Sequence, residues 1–135
     1  KVICMCTSLK NSFHWLSYKI SIIPLGIDEN FFVGSYQPLL IDSLRLIYPA
    51  QFRIGKNQDT VIRAFAEYRN ITHDMKSILI LPGSGELLQK MKNLCKDLDC
   101  DQQVLFREYC SKKEVLTYYR KSNTAVIASS SETFG

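Results

Sequence analysis

Thr124-Ala125-Val126-Ile127-Ala128 runs directly into Ser129-Ser130-Ser131-Glu132-Thr133-Phe134-Gly135, and that junction decides how the chain is read. A short apolar run of this length suits a strand buried on both faces, the condition of strands inside a parallel sheet. The polar residues then fall beyond the strand's carboxyl end, where open α/β sheets bind ligands. A carboxylate at that edge, Glu132, followed by Gly135, which lets backbone come close to a ligand, reads as half of a binding site.

The same alternation repeats upstream, from Leu44 onward. Leu44 to Ala50 reads as a strand, followed by a polar loop, Gln51 to Asn57, that holds Arg53 and Lys56. Asn57 or Asp59 can cap a helix with Val61, Ile62, Phe65, Ala66 and Tyr68 at helical spacing. Ser77 to Leu81 is a second strand, broken by Pro82-Gly83-Ser84-Gly85. Glu86 then opens a helix with Leu87, Leu88, Met91, Leu94, Cys95 and Leu98 on one face. Val104 to Phe106 is a third short strand. Ser111 and Glu114 have the spacing of a capping box ahead of a helix that runs through Arg120. Four strands alternating with three helices on short loops predict right-handed β-α-β units around a parallel sheet, a Rossmann-like α/β fold.

The first third is less regular. Val2 to Cys6 and Lys19 to Ile23 read as short strands, the second ended by Pro24. Ser8 can cap a short helix carrying Phe13, Trp15 and Leu16. Leu25 to Asp28 reads as a turn, and Gly34 to Asp42 as a loop. Residues 1–43 therefore read as the end of a preceding domain plus a linker, and residues 44–135 as a second, incomplete domain. The start at Lys1 and the end at Gly135 suggest a piece of a longer protein.

Composition narrows the function classes. The chain has 135 residues, 46% hydrophobic and 22% charged, with a net charge of +4. It can build a core, and its mild basicity favours anionic ligands without signalling nucleic acid. No run approaches the ~20 apolar residues of a membrane span, and Val2 to Cys6 is too short for a signal-peptide core. Five cysteines and two histidines, His14 and His73, make no zinc spacing. They read as reduced thiols of a cytosolic protein that fill core space.

In a parallel sheet the loops after each strand share one edge. Together they present Arg53, Lys56, the Gly83-Ser84-Gly85 turn, the residues Arg107 to Cys110, the serine run and Glu132. Helix amino termini at that edge favour anions. A lysine beside them outlines a phosphate site, and a carboxylate can accept hydrogen bonds from sugar hydroxyls. Phosphate and sugar together suggest a nucleotide sugar. Pro-Gly-Ser-Gly is not the dinucleotide fingerprint, and no P-loop lysine follows it. It is also compatible with a plain turn, as Lys56 and Glu132 are with solvated surface.

The order of these pieces resembles the group 1 family of retaining glycosyltransferases, which have the two-domain GT-B fold. Ile22-Ile23-Pro24-Leu25-Gly26-Ile27-Asp28 with Phe31 is similar to the family's interdomain V-I-P-N-G-V-D…F, with Leu25 in place of Asn. Ala50-Gln51-Phe52 to Lys56-Asn57 is similar to its G-R-L…K-G loop. Leu79 to Gly85 resembles its strand ending in G-x-G, and Ser129 to Gly135 its S-x-x-E-x-F-G. The resemblance covers the chain from Ile20 to its end.

The resemblance implies that residues 44–135 are the first half of a carboxyl-terminal, donor-binding domain, and that residues 1–43 close the acceptor domain. It implies donor contacts at Gln51, Arg53, Lys56, Gly83, Ser84, Gly85, Tyr109, Glu132, Phe134 and Gly135. Lys56 matches the family lysine that binds the donor diphosphate. The family's partner arginine falls on Gln51, and Arg53 is a candidate substitute. Glu132 matches the first acid of Glu-x7-Glu, with the second lying beyond Gly135. The loop near Glu108 and Tyr109 is where the family meets the base. No metal or other cofactor is implied. The partners implied are a nucleotide-diphosphate sugar and a glycan or lipid-linked acceptor, with peripheral attachment at the inner face of the membrane and a role in surface polysaccharide synthesis. The isolated piece is expected to be inactive. The competing readings are a non-catalytic α/β nucleotide-binding or interaction module and a GT-B enzyme of another activity, such as a sugar-nucleotide epimerase or a phosphorylase.

Overall fold

The computed structural model describes residues 2–4, 6–24, 26, 27, 29 and 42–130. Leu25 and Asp28 of the expected turn, the loop from Gly34 to residue 41, and Glu132, Phe134 and Gly135 lie outside the described residues. The described chain falls into two units, one within the first 35 residues and one from residue 42 onward.

In the first unit, β1 (Val2–Cys4) leads to α1 (Thr7–Ser12), a 3-10 helix (His14–Lys19) and β2 (Ile20–Ile22). The two strands pair in parallel with Val2 opposite Ile20 and Cys4 opposite Ile22. Ser8 lies inside α1 and is not its cap. The N-cap residue is Cys6, which makes no side-chain cap bond. Trp15 and Leu16 fall in the 3-10 helix rather than in α1. Cys6 has left the strand that Cys4 ends. Among the described residues of this unit, Cys4 and Ile20 are enclosed, whereas Ile3, Trp15, Tyr18 and Ile23 are exposed.

The second unit holds β3 (Arg45–Ile47), α2 (Gln58–Thr72), β4 (Ile78–Pro82), α3 (Leu88–Asp97), β5 (Val104–Arg107), α4 (Lys112–Arg120) and β6 (Thr124–Ala125). Its four strands form one parallel sheet in the order β5-β4-β3-β6. Alternation along β4 sorts the two faces. Leu79 and Leu81 join Val61, Ile62 and Phe65 of α2, Met91 and Cys95 of α3, and Tyr48 and Phe52 in one buried cluster. Ile47 and Ile80, register partners across β3 and β4, are buried on the opposite face.

The regular part of β3 is shorter than the apolar run, yet its pairing continues. Tyr48 N–H donates to the Ile80 carbonyl at 3.0 Å, Ala50 N–H to Pro82 at 3.0 Å and Phe52 N–H to Ser84 at 2.9 Å. Helix α3 starts at Leu88, with Glu86 in the turn before it. The capping box of α4 forms as expected, with Ser111 as N-cap and Glu114 returning the bond.

The opening stretch departs from its reading. It is not buried on both faces, and β6 lies at the end of the sheet with β3 as its partner. Val126 and Ala128 pack on the core, while Ile127, between them, is 73% exposed. No disulfide joins the five cysteines. Cys4, Cys95 and Cys100 are buried, and Cys6 and Cys110 half-buried.

Candidate functional site

Strands β3, β4 and β5 step across the sheet in one direction, and the chain then returns to place β6 on the other side of β3. That reversal makes β3 and β6 the switch point of the sheet, at whose carboxyl ends open α/β sheets hold ligands. The loop after β3 carries Gln51, Arg53 and Lys56. The segment after β6 carries Ser129 and Ser130 and leads to Glu132. The two meet.

Their contact is a set of hydrogen bonds around a buried tyrosine. The Tyr48 hydroxyl donates to the Lys56 carbonyl at 2.7 Å. With its only hydrogen used there, it accepts from the Ser129 hydroxyl at 2.8 Å. Asn57 Nδ2 donates to the Ala128 carbonyl at 2.8 Å. Ser130 N–H donates to the Gly55 carbonyl at 2.9 Å, and the Ser130 hydroxyl donates to the same oxygen at 3.2 Å. Lys56 therefore sits between two residues, Gly55 and Asn57, that are each bonded to the segment after β6.

Local sequence explains why the loop takes this path. Asn57 adopts the left-handed conformation, φ 53°, which asparagine tolerates better than most residues. It occupies the N-cap position of α2, as expected, but in this left-handed conformation, rather than the extended one usual at an N-cap, it makes no side-chain cap bond, and its Nδ2 donates to Ala128. The amino end of α2, at the carboxyl edge of the sheet, thus has no side-chain cap from Asn57. At the start of the loop, Gln58, itself buried, donates from Nε2 to the Gln51 carbonyl at 2.8 Å. Gln51 and Arg53 are exposed on the rim, and Lys56 is half-buried.

The Gly83-Ser84-Gly85 turn is fixed by its own neighbours. A Cβ on Gly83 would lie 2.1 Å from the Ala50 carbonyl oxygen, and one on Gly85 would lie 2.5 Å from that of Phe52. Ser84 accepts from Phe52 N–H through its carbonyl, and Leu87 N–H donates to the Phe52 carbonyl at 3.0 Å. These glycines let the β4–α3 turn press on the β3–α2 loop, which sets the height of the Lys56 loop over the sheet.

Tyr109 follows β5, three strand spacings or ~14 Å from β6. It is 86% exposed and left-handed, φ 54°. Its neighbour Glu108 is paired with Lys92 of α3 at 2.8 Å. Among the expected site residues, the structure brings the Lys56 loop, the glycine turn and Ser129–Ser130 together, with Tyr109 farther along the same edge. Glu132, Phe134 and Gly135 lie outside the described residues. Tyr48 was not read as a site residue. Tyr48 resembles any apolar strand residue in sequence, and its hydroxyl's role appears only once β6 is placed beside β3.

Comparison with known proteins bears on the same unit. The family model described as glycosyl transferases group 1 matches residues 38–135. The chain belongs to the group 1 glycosyltransferases. A search of curated protein sequences finds no match. Among solved structures, the glycosyltransferase WaaG, involved in lipopolysaccharide biosynthesis, superposes with a TM-score of 0.75 at 16% identity, over 98% of this chain and 39% of that one. The pneumococcal O-GlcNAc transferase GtfA, solved with UDP and GlcNAc, gives 0.72 at 19% identity, over 98% and 26%. The carboxyl-terminal domain of a group 1 family protein from Francisella tularensis gives 0.61 at 20% identity, over 79% and 60%. At these identities the likeness is one of fold. This group 1 chain has the parallel α/β architecture of GT-B enzymes and spans about a quarter to three fifths of those neighbours' lengths.

Among the described residues, no helix is long and apolar enough to cross a membrane, and no cluster of three or more His, Cys, Asp or Glu could hold a metal ion.

Proposed function

We propose that residues 44–135 are the donor-facing part of a retaining glycosyltransferase, and that the switch point between β3 and β6 receives the diphosphate of a nucleotide-diphosphate sugar. The observation that carries this is the bonding of the Lys56 loop to Ser129 and Ser130, three and two residues before Glu132.

The chemistry follows from charge. Departure of a nucleoside diphosphate builds negative charge on the leaving oxygen. Lys56, with Arg53 as a second cation and the α2 amino end as a source of oriented N–H groups, would stabilise it without a metal. Gln51, in place of the family arginine, would donate hydrogen bonds without charge. Glu132 would hold sugar hydroxyls and orient the anomeric carbon rather than attack it. Gly83, Ser84 and Gly85 would shape the floor, Tyr109 would lie toward the base, and Phe134 and Gly135 would add donor contacts. The acceptor, a glycan or lipid-linked saccharide at the inner face of the membrane, would be held by the preceding domain, whose end is residues 1–43. Surface polysaccharide synthesis is the process this fits.

The test is calorimetric titration of this chain with UDP, GDP and ADP. One of them is expected to bind, and Lys56→Ala is expected to weaken it roughly tenfold or more, as loss of a charge-assisted hydrogen bond does. Absence of binding by all three would favour a non-catalytic module.

A further inference from the structure

We infer that Asn57 and Tyr48 are positioning residues, a clamp that fixes Lys56 against the segment leading to Glu132. The inference rests on the donor reading above for its functional consequence. Its structural basis is independent of that reading.

Three features single out this clamp. Asn57 is left-handed at a helix start, yet its side chain does not cap the helix. A side-chain cap is worth about 1 kcal/mol where it forms, and Asn57 forms none. The amide instead reaches across the sheet to residue 128, 71 positions later in sequence. Tyr48 is buried, and its hydroxyl is spent entirely on two rim groups, the Lys56 carbonyl and the Ser129 hydroxyl. Ser130 then closes the arrangement onto Gly55 through both its amide and its hydroxyl. The backbone on both sides of Lys56 is thus held to one strand exit, while the only covalent path between the two segments runs through α2, β4, α3, β5, α4 and β6.

A clamp of this kind has a function because a lysine on a loop is a mobile charge. Fixing its backbone lowers the ordering cost of each bond it makes to a ligand. The family loop carries glycine where this chain has Asn57. Glycine would take the same left-handed backbone without strain but could not reach Ala128. Asn57 therefore keeps the conformation and adds a cross-link.

Two measurements on the 135-residue chain test this. The first is amide hydrogen exchange, which needs no ligand. Asn57→Gly and Tyr48→Phe should each speed exchange of the Ser130 amide about tenfold, the equivalent of one net hydrogen bond, with the Leu79 amide in the sheet centre unchanged. Unchanged Ser130 protection in both variants would overturn the clamp.

The second measurement is a double-mutant cycle on binding of the nucleoside diphosphate that the chain takes up, with the matching nucleoside as control. Asn57→Gly should weaken the diphosphate several-fold and leave the nucleoside unchanged. In a Lys56→Ala background the same substitution should have no further effect. Equal weakening of nucleoside and diphosphate, or losses that add, would show a general packing role and overturn the positioning role. If the unsubstituted chain binds no nucleoside diphosphate, the donor reading and the role of Lys56 in it fall together. The exchange measurement would still decide whether the clamp exists.

Discussion

An alanine at position 83 would set its Cβ 2.1 Å from the Ala50 carbonyl oxygen, at a φ of +149° that side chains rarely adopt. The obstructing atom is backbone, itself tied by the Ala50-to-Pro82 bond, so it cannot swing aside. Gly83→Ala should destabilise the chain by about 3 kcal/mol, from strain and overpacking together. A urea midpoint lowered with an unchanged slope would register it, and a midpoint within error of the parent would count against the close approach. The turn was legible in sequence, but not its partner. Glycine next to a strand end announces that something comes close, and here that something is the chain's own Ala50–Phe52 backbone. Buried thiols were similarly legible. Cys95 is wholly enclosed, and burial pushes its thiol up to about 12, so it behaves as a small core hydrophobe rather than a nucleophile.

At the scale of elements, local signals and long-range placement separate. The Ser111–Glu114 box was legible because both halves lie within four residues, and the structure forms both bonds. Ser111 N–H and hydroxyl each donate to Glu114 Oε2 at 2.7 Å, and these bonds hold the carboxyl below its ordinary value. A lowered folded-state value means the carboxylate's contribution is complete above its unfolded-state value. It is lost as pH falls through the lower folded one. Ser111→Ala should cost about 1 kcal/mol at neutral pH, and that difference should shrink as pH drops through the acidic carboxylate range. Thermal melts of parent and variant across that range would show it, and a constant gap down to full protonation would refute it. Strand β6 shows the other side. The run from Thr124 to Ala128 read as one strand, but the regular strand ends at Ala125, and which of its residues are covered depends on what packs against them. Ile127 is exposed while Val126 and Ala128 stay on the core. Asn57 makes the same point at a helix start: the cap position was legible, and the bond from its Nδ2 to the carbonyl of residue 128 was not.

Among the described residues, the two units bury very different amounts of apolar surface. The later one encloses Phe52, Phe65, Ile47, Ile62, Leu79 and Leu81 between a four-stranded sheet and helices. The earlier one encloses Cys4 and Ile20 about a two-stranded sheet. Two strands alone are marginal in water, whereas three or more strands packed on helices support cooperative stability. This contrast was partly legible: regular alternation began at Leu44, and the first third lacked periodicity. Opening free energies within one chain range from near zero to the global value. The amide of Ile23, bonded to the Cys4 carbonyl at 2.9 Å, should therefore exchange through local opening. The amides of Tyr48, bonded to Ile80 at 3.0 Å, and Leu79, bonded to Gln103 at 2.9 Å, should exchange through global unfolding. Their rates should be slower than that of Ile23 by a factor on the order of 10³. Mild urea should leave the Ile23 rate nearly flat and accelerate the other two, because only their opening exposes large surface. Equal protection of all three, with equal urea dependence, would mean that the two units unfold as one body.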